Sequence, residues 1–131
     1  MKLLRNYQIF RAQRLAAKGD FITARNITNA LVAKFPRSVG YNLFNADIDL
    51  FAGDTTSALD RYEICKELVE VSSEMSFRNK RFYNAYINFR QIAIDHHLAG
   101  HEWPEWSEFA MLVNVLDADR NIKNLFLLPT K

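Results

Sequence analysis

The stretches KGDFITA (Lys18–Ala24) and AGDTTSA (Ala52–Ala58) carry one pattern at two places 34 residues apart. Each holds a Gly-Asp pair, followed by a hydroxyl residue and an alanine. Glycine tolerates the left-handed conformation in which many helices end, and aspartate caps the helix that follows, so each stretch predicts a turn between two helices. Aligned at this offset, residues 5–37 and 39–71 share six identities, where chance gives about two. The identical pairs are Tyr7/Tyr41, Phe10/Phe44, Ala12/Ala46, Gly19/Gly53, Asp20/Asp54 and Ala24/Ala58. A fixed period of this length is the sequence signature of stacked-repeat proteins.

The segments beside these turns have the spacing of helices. Side chains three or four positions apart precede each turn, namely Ile9, Phe10, Gln13, Ala16 and Ala17 in the first unit and Phe44, Ile48 and Phe51 in the second. A second helix is predicted after each turn, at about 21–34 and 56–72. Ala24 and Ala58 lie early in these helices, where a small side chain lets two helices approach closely. The sequence therefore predicts two stacked helical hairpins.

Both units resemble the tetratricopeptide repeat, a helical hairpin with a period of 34 residues. In the first unit the resemblance rests on Ala12, Leu15, Gly19-Asp20-Phe21, Ala24 and Pro36. In the second it rests on Ala46, Gly53-Asp54, Ala58 and Tyr62, with Cys65 at a place where the family usually has alanine. The early tryptophan and leucine of the family are replaced by Gln8 and Arg11, and by Asn42 and Asn45. The aromatic residues one position earlier are expected to fill the same space: Tyr7, Phe10, Tyr41 and Phe44.

A third unit follows the family's spacing out of phase, through Phe89, Ile92, Ala93, His96 and Gly100. Pro104 is predicted to open one more helix at about 105–116, and the apolar end of the chain to dock as a cap. The predicted fold is all-α, with antiparallel helical hairpins in a short right-handed solenoid of about six to seven helices. We expect a single domain over 1–131, with repeats at about 5–37 and 39–72, an irregular hairpin at about 76–116 and a capping segment at 117–131.

The resemblance implies a concave groove lined by the first helices of successive repeats. Carried onto this chain, it points to Ile9, Gln13, Leu43, Asp47, Leu50, Arg90, Ile94 and His97. The leading functional prediction is a non-enzymatic protein-interaction module, an adaptor, chaperone-like binder or scaffold subunit, that holds a partner peptide or protein in this groove. Trp103 and Trp106 flank Pro104 and are either partner anchors or part of the cap of the stack.

The charges divide the chain into unlike parts. Residues 1–37 carry a net charge of +7 and residues 38–75 one of −6, although the whole chain carries +2. One interpretation is favourable contact between neighbouring repeats together with two solvated faces. The alternative is a self-assembling subunit, a homo-oligomer in which the basic end of one copy meets the acidic surface of another.

A further alternative is nucleic-acid binding by the basic first hairpin and residues 77–90, where basic side chains and aromatic rings alternate. This class is less favoured because the net charge is close to neutral. In addition, Phe82, Tyr86 and Phe89 have the spacing of a core stripe, which would leave the basic residues on the solvated face of a helix.

Other chemistry is not expected from the sequence. His97 and His101 lie four residues apart beside His96, but Gly100 interrupts a shared helix face, so we expect no metal and no other cofactor. Cys65 is predicted to be a small core residue, and the motifs of phosphate loops and catalytic triads are missing, which argues against an enzyme. With 49% apolar and 24% charged residues, one cysteine, no membrane-length apolar run and no signal-peptide core, we expect a cytoplasmic protein that contacts no membrane.

Overall fold

The computed structural model describes the backbone of residues 2–100 and the side chains of residues 7–95 and 97–100. Within residues 2–100 the chain forms five helices and no strand, which confirms the all-α prediction. The helices are α1 (Lys2–Ala17), α2 (Phe21–Lys34), α3 (Val39–Phe51), α4 (Thr55–Val71) and α5 (Phe77–Leu98). The sixth and seventh predicted helices depend on the segments 105–116 and 117–131, which lie outside the described residues. None of the helices in this part of the chain is long and apolar enough to cross a membrane.

The two Gly-Asp stretches form the same turn, as their sequences predict. Gly19 and Gly53 both have a φ of 88°, which side chains larger than hydrogen rarely adopt. The carboxylates of Asp20 and Asp54 each accept a hydrogen bond of 3.2 Å from the backbone N–H three residues later, and so cap α2 and α4. The backbone N–H of each aspartate donates a 2.9 Å hydrogen bond to the carbonyl five residues earlier. The 34-residue period is therefore a repeat of hydrogen bonds as well as of residue types.

The end of α5 repeats part of this pattern. Gly100 has a φ of 92°, and its N–H donates to the carbonyl of His97 over 3.0 Å, as the N–H of Gly53 does to the carbonyl of Leu50. Helix α5 therefore ends just before Gly100, in the same kind of turn.

The chain divides into two compact units, Met1–Cys65 and Lys66–Lys131, and the boundary falls within α4. In the first unit α1 packs against α2, and α2 packs against α3. Because α1 and α2 are joined by three residues and lie side by side, they run in opposite directions and form a hairpin. Among its described side chains, those from 7 to 65, the buried apolar ones are Ile9, Ala12, Ala24, Leu31, Val39, Leu43, Phe44, Ala46, Ile48, Leu50, Ala58, Tyr62 and Cys65.

Helix α3 is more deeply buried than its sequence pattern predicts. Every side chain from Asn42 to Leu50 is buried, including two asparagines and two aspartates. The predicted apolar stripe accounts for only part of this helix, since a helix covered on all sides also buries its polar face.

In the second unit, α5 begins where Ser76 caps it by accepting a 3.1 Å hydrogen bond from the N–H of Asn79. Its buried side chains recur at helical spacing: Phe82, Tyr83, Tyr86, Ile87, Arg90, Ala93 and Ile94. Phe82 and Tyr86 are thus core residues, as predicted, and Arg78 and Arg81 are exposed.

Candidate functional site

The side chains predicted to line a groove are mostly buried. Of the predicted groove side chains, Gln13 in the first unit is half-buried and His97 in α5 is exposed. The other six are buried: Ile9, Leu43, Asp47, Leu50, Arg90 and Ile94. Trp103 and Trp106 lie outside the described residues. Groove binding therefore stays a prediction, and the structure draws attention to what these buried groups contact.

The polar side chains on α3 are bound to other groups of the first unit. The Asp47 carboxylate accepts a hydrogen bond from the hydroxyl of Tyr62 on α4. The side-chain oxygen of Asn45 accepts a 3.0 Å hydrogen bond from the Thr28 hydroxyl, and its amide donates to Asn29 over 3.0 Å. Because buried polar groups are costly unless hydrogen-bonded, these contacts fix where α3 lies against its neighbours.

Asn42 closes the connection that leads into α3. Its amide donates to the backbone carbonyls of Pro36 and Ser38, over 3.0 and 2.8 Å. The Ser38 hydroxyl in turn caps α3 by accepting from the N–H of Tyr41. Beside this loop lies a wide-mouthed pocket of about 460 Å³, lined by Lys34, Phe35, Pro36, Arg37, Ser38 and Tyr41.

Arg25 joins the two repeat units through charge. Its Nε lies 2.9 Å from the Asp49 carboxylate on α3, and its Nη2 donates to Asp54, the cap of α4, over 3.1 Å. The Arg25 guanidinium and the Asp49 carboxylate thus form an ion pair. The cluster supports the interpretation that part of the charge division is contact between neighbouring repeats. Local spacing gave no signal for it, because its members come from different helices.

The carboxyl groups of this cluster respond to their surroundings in opposite ways. Burial raises the pKa of Asp49 above its ordinary value of 3.8, although the nearby Arg25 guanidinium acts in the other direction. Hydrogen bonds from the backbone and hydroxyl of Ser57 lower the pKa of Asp54. Desolvation therefore disfavours the charged form of the deeper carboxyl group, that of Asp49.

Chemistry at the thiol is suppressed by its surroundings. Cys65 is buried, and this burial raises the pKa of its thiol far above the ordinary range, so the thiolate does not form near neutral pH. Within the residues that the structure describes, no group of three or more His, Cys, Asp or Glu side chains comes together to hold a metal ion. His97 is exposed, and the rest of the histidine cluster, His96 and His101, has no described side chains.

The outward side of α1 is an exposed basic and aromatic surface. Tyr7 and Phe10 are 62% and 57% exposed, and Arg11, Arg14 and Lys18 are exposed beside them. The Arg14 guanidinium lies 5.8 Å from the centre of the Phe10 ring, a cation–π contact. Tyr7, Phe10, Arg11 and Arg14 fall within about 120° of the circumference of α1, and Lys18 directly follows the helix; we call these five residues the α1 face.

The α1 face corrects one expectation from the sequence. Tyr7 and Phe10 were expected to fill the space of the family's early tryptophan and leucine, as Tyr41 and Phe44 were in the second unit. Phe44 is buried in the crowded helix α3 and Tyr41 is half-buried, whereas Tyr7 and Phe10 lie on the solvent side of α1. The identical residues of the two repeats therefore have different surroundings.

The outward side of α4 is an exposed acidic surface. It consists of Asp60, Glu63, Ile64, Glu67, Glu70 and Val71, which are all exposed and fall within about 120° of this one helix. Two of its members are large apolar side chains, Ile64 at 41% and Val71 at 76% exposure. We call this surface the α4 face.

No known protein family, curated protein or solved structure matches this chain. The two helix faces are therefore interpreted from their own chemistry. Sequence reasoning found the charge division but not these faces, because only the structure shows which side of each helix is exposed.

Proposed function

We propose that this chain is a non-enzymatic protein-interaction module that binds an acidic helical segment of a partner through the α1 face. The observation that carries the proposal is the exposure of Tyr7 and Phe10 beside three cationic side chains on one helix side. Isolated exposed apolar residues are ordinary on protein surfaces, but contiguous rings among arginines have the composition of interface centres.

The spacing of this surface favours a helix as the bound element. Tyr7, Phe10, Arg14 and Lys18 recur every three or four residues, which produces a ridge along α1. Such ridges fit between the side-chain rows of another helix. Cations at Arg11, Arg14 and Lys18 would pair with acidic side chains at the rim of that contact, where charge governs partner choice and association rate more than affinity.

The resemblance to tetratricopeptide repeats supports the same class of function. We propose that the hairpins stack as a short right-handed solenoid of this type. The proposal is supported by the equal hydrogen bonds at the two Gly-Asp turns and by the sequential packing of α1, α2 and α3. Ala12 and Ala46, and likewise Ala24 and Ala58, are buried at equivalent positions. The concave-groove site remains part of this proposal, and the α1 face is one of the surfaces exposed in the described part of the chain.

Nucleic-acid binding is the second candidate, because the α1 face combines cations with rings. Phe77 is exposed with the Arg81 guanidinium 6.0 Å from its ring centre, which gives α5 a smaller surface of the same kind. Among the other rings of residues 77–90, Phe82, Tyr83 and Tyr86 are buried and Phe89 is half-buried. Protein binding is favoured because Phe77 is the one exposed ring that residues 77–90 offer for stacking on bases.

The test places a photoreactive phenylalanine analogue at Phe10 and irradiates the tagged chain in an extract of cells that make it. We expect a covalent adduct with a protein, sequenced by mass spectrometry to an acidic helical segment. The adduct should be lost when Arg11→Glu and Arg14→Glu are added. The same analogue at the exposed Asn84 of α5 is the matched control. Adducts that nuclease removes, or equal labelling from both positions, would refute the proposal.

A further inference from the structure

We propose that the partner of the α1 face is the α4 face of a second copy of this chain. This inference rests on the proposed function and names the acidic helix that the α1 face binds. The side chains of both faces are exposed in the described part of a single copy. The charges of the two faces are opposite in sign.

The two faces have the same length. The α1 face runs from Tyr7 to Lys18 and the α4 face from Asp60 to Val71, so each covers eleven residue steps. At the rise of an α-helix both are about 17 Å long. Two helix faces of equal length can lie along each other without leaving charged ends unmatched.

The composition of the two faces is complementary in charge and in apolar content. The α1 face carries three cations and no acid, and the α4 face carries four acids and no cation. Each also holds two large apolar side chains, Tyr7 and Phe10 on one and Ile64 and Val71 on the other. Specific interfaces combine apolar side chains with charged groups in this way. The net charges of +7 in residues 1–37 and −6 in residues 38–75 would also steer two copies toward this orientation.

The contact joins two different surfaces, so it is heterologous and can repeat from copy to copy. A single helix-on-helix contact is small compared with the interfaces of stable dimers, which places it in the weak and concentration-dependent class. Ion pairs at an exposed rim are screened by salt, so association should fall as ionic strength rises.

The test measures the mass of the purified full chain by light scattering after size exclusion, over a range of concentrations at low and high salt. We expect a mass above the 15.2 kDa of one chain that grows with concentration and returns toward it in high salt. Reversing the α1 face with Arg11→Glu and Arg14→Glu should weaken association on the order of tenfold or more. Neutralising the α4 face with Asp60→Lys and Glu67→Lys, which leaves two acids beside two lysines, should do the same.

Mixing the two variants should restore association between unlike copies, because the unaltered α4 face of the first variant complements the unaltered α1 face of the second. Arg78→Glu with Arg81→Glu is the matched control, since it changes the net charge as the α1 variant does but alters exposed residues of α5. This control should associate like the wild type. Circular dichroism verifies that each variant keeps its helix content.

A second measurement does not depend on charge reversal. Chains with the photoreactive analogue at Phe10 are mixed with ¹⁵N-labelled wild-type chains and irradiated. The inference requires crosslinks from Phe10 to a labelled peptide within residues 60–71. Crosslinks that join Phe10 only to unlabelled peptides, or to segments outside residues 60–71, would overturn it.

The two proposals fail in different ways. A wild type that stays at 15.2 kDa at every concentration in low salt overturns the second-copy inference. If Phe10 still crosslinks in the cell extract to an acidic helix of another protein, the proposed function stands. If no protein adduct forms in either experiment, both proposals are refuted.

Discussion

Replacing Thr28 by valine should destabilise the protein even though the two side chains have almost the same shape. Thr28 and Asn45 are 1% and 0% exposed, so water cannot replace the hydrogen bond that the Thr28 hydroxyl donates to the Asn45 oxygen. Valine leaves that oxygen buried without this donor. The expected loss is about 1–3 kcal/mol in the free energy of unfolding, the usual cost of an unsatisfied buried polar group.

Thr28→Ser separates the hydrogen bond from the packing. Serine keeps the hydroxyl and removes one methyl group, which corresponds to about 0.8 kcal/mol of lost burial. We therefore expect the valine variant to be the less stable of the two, although it keeps the volume of the side chain. Urea unfolding followed by far-UV circular dichroism measures the free energy of unfolding of both variants. An unchanged slope of this free energy against urea concentration shows that the folded and unfolded states remain comparable.

A double-mutant cycle with Asn45→Ala tests the assignment to this pair. Alanine removes the acceptor, and the amide partner Asn29 is exposed and can turn to water. In that background Thr28→Val should cost little, which gives a coupling energy of about 1 kcal/mol or more. A valine variant as stable as the wild type, or a coupling energy near zero, would refute the argument that this bond holds α3 in place.

Three further predictions concern the turn, the ion pair and the thiol. Gly19→Ala and Gly53→Ala should each lower the free energy of unfolding by about 1–2 kcal/mol, measured by thermal unfolding. An added Cβ meets no neighbour in either turn, but the φ of 88° is strained for alanine. Asparagine at either site should lower the stability less, and equal losses for both replacements would contradict this cause. The pKa of Asp49 is raised above 3.8 in the fold. The wild type should therefore gain stability relative to Asp49→Asn as pH falls through that raised value and lose it as pH rises, which urea unfolding between about pH 4 and 7 measures. A stability difference between the two proteins that does not change with pH would contradict the assignment. Cys65 should react with a thiol reagent at mildly alkaline pH only after unfolding, and fast reaction in the native state would show that it is not buried.

The local parts of the fold were predictable from the sequence. A turn at Gly19 or Gly53 depends on a few adjacent residues, whose conformational preferences are the same in most surroundings. The helix that follows begins where the next aspartate can cap it, so the prediction of α2 and α4 needed no knowledge of distant contacts. The core stripe through Phe82 and Tyr86 follows from helical spacing in the same way.

The contacts between helices were not predictable. Asn45 and Asp47 read as polar residues at or beside a groove, and nothing nearby in the sequence shows that Thr28 and Tyr62 would bind them. Likewise Tyr7 and Phe10 have the same residue types as their equivalents on α3, and only the packing of each helix decides which pair is exposed. Charge counts indicated opposite parts of the chain, whereas the helix faces that carry those charges required the structure.

The buried polar side chains of α3 also limit how the first unit can move. In an all-hydrocarbon core, a helix can slide by a turn and exchange one apolar contact for another. A slide of about 5.4 Å along α3 would separate Asn45 and Asp47 from Thr28 and Tyr62 at once. Each bond lost in this way leaves a buried polar group that costs about 1–3 kcal/mol, so the unit has no neighbouring arrangement of similar energy. We therefore expect a partner to act on this chain by covering its outer faces, and the interior to respond as a rigid body rather than as a switch.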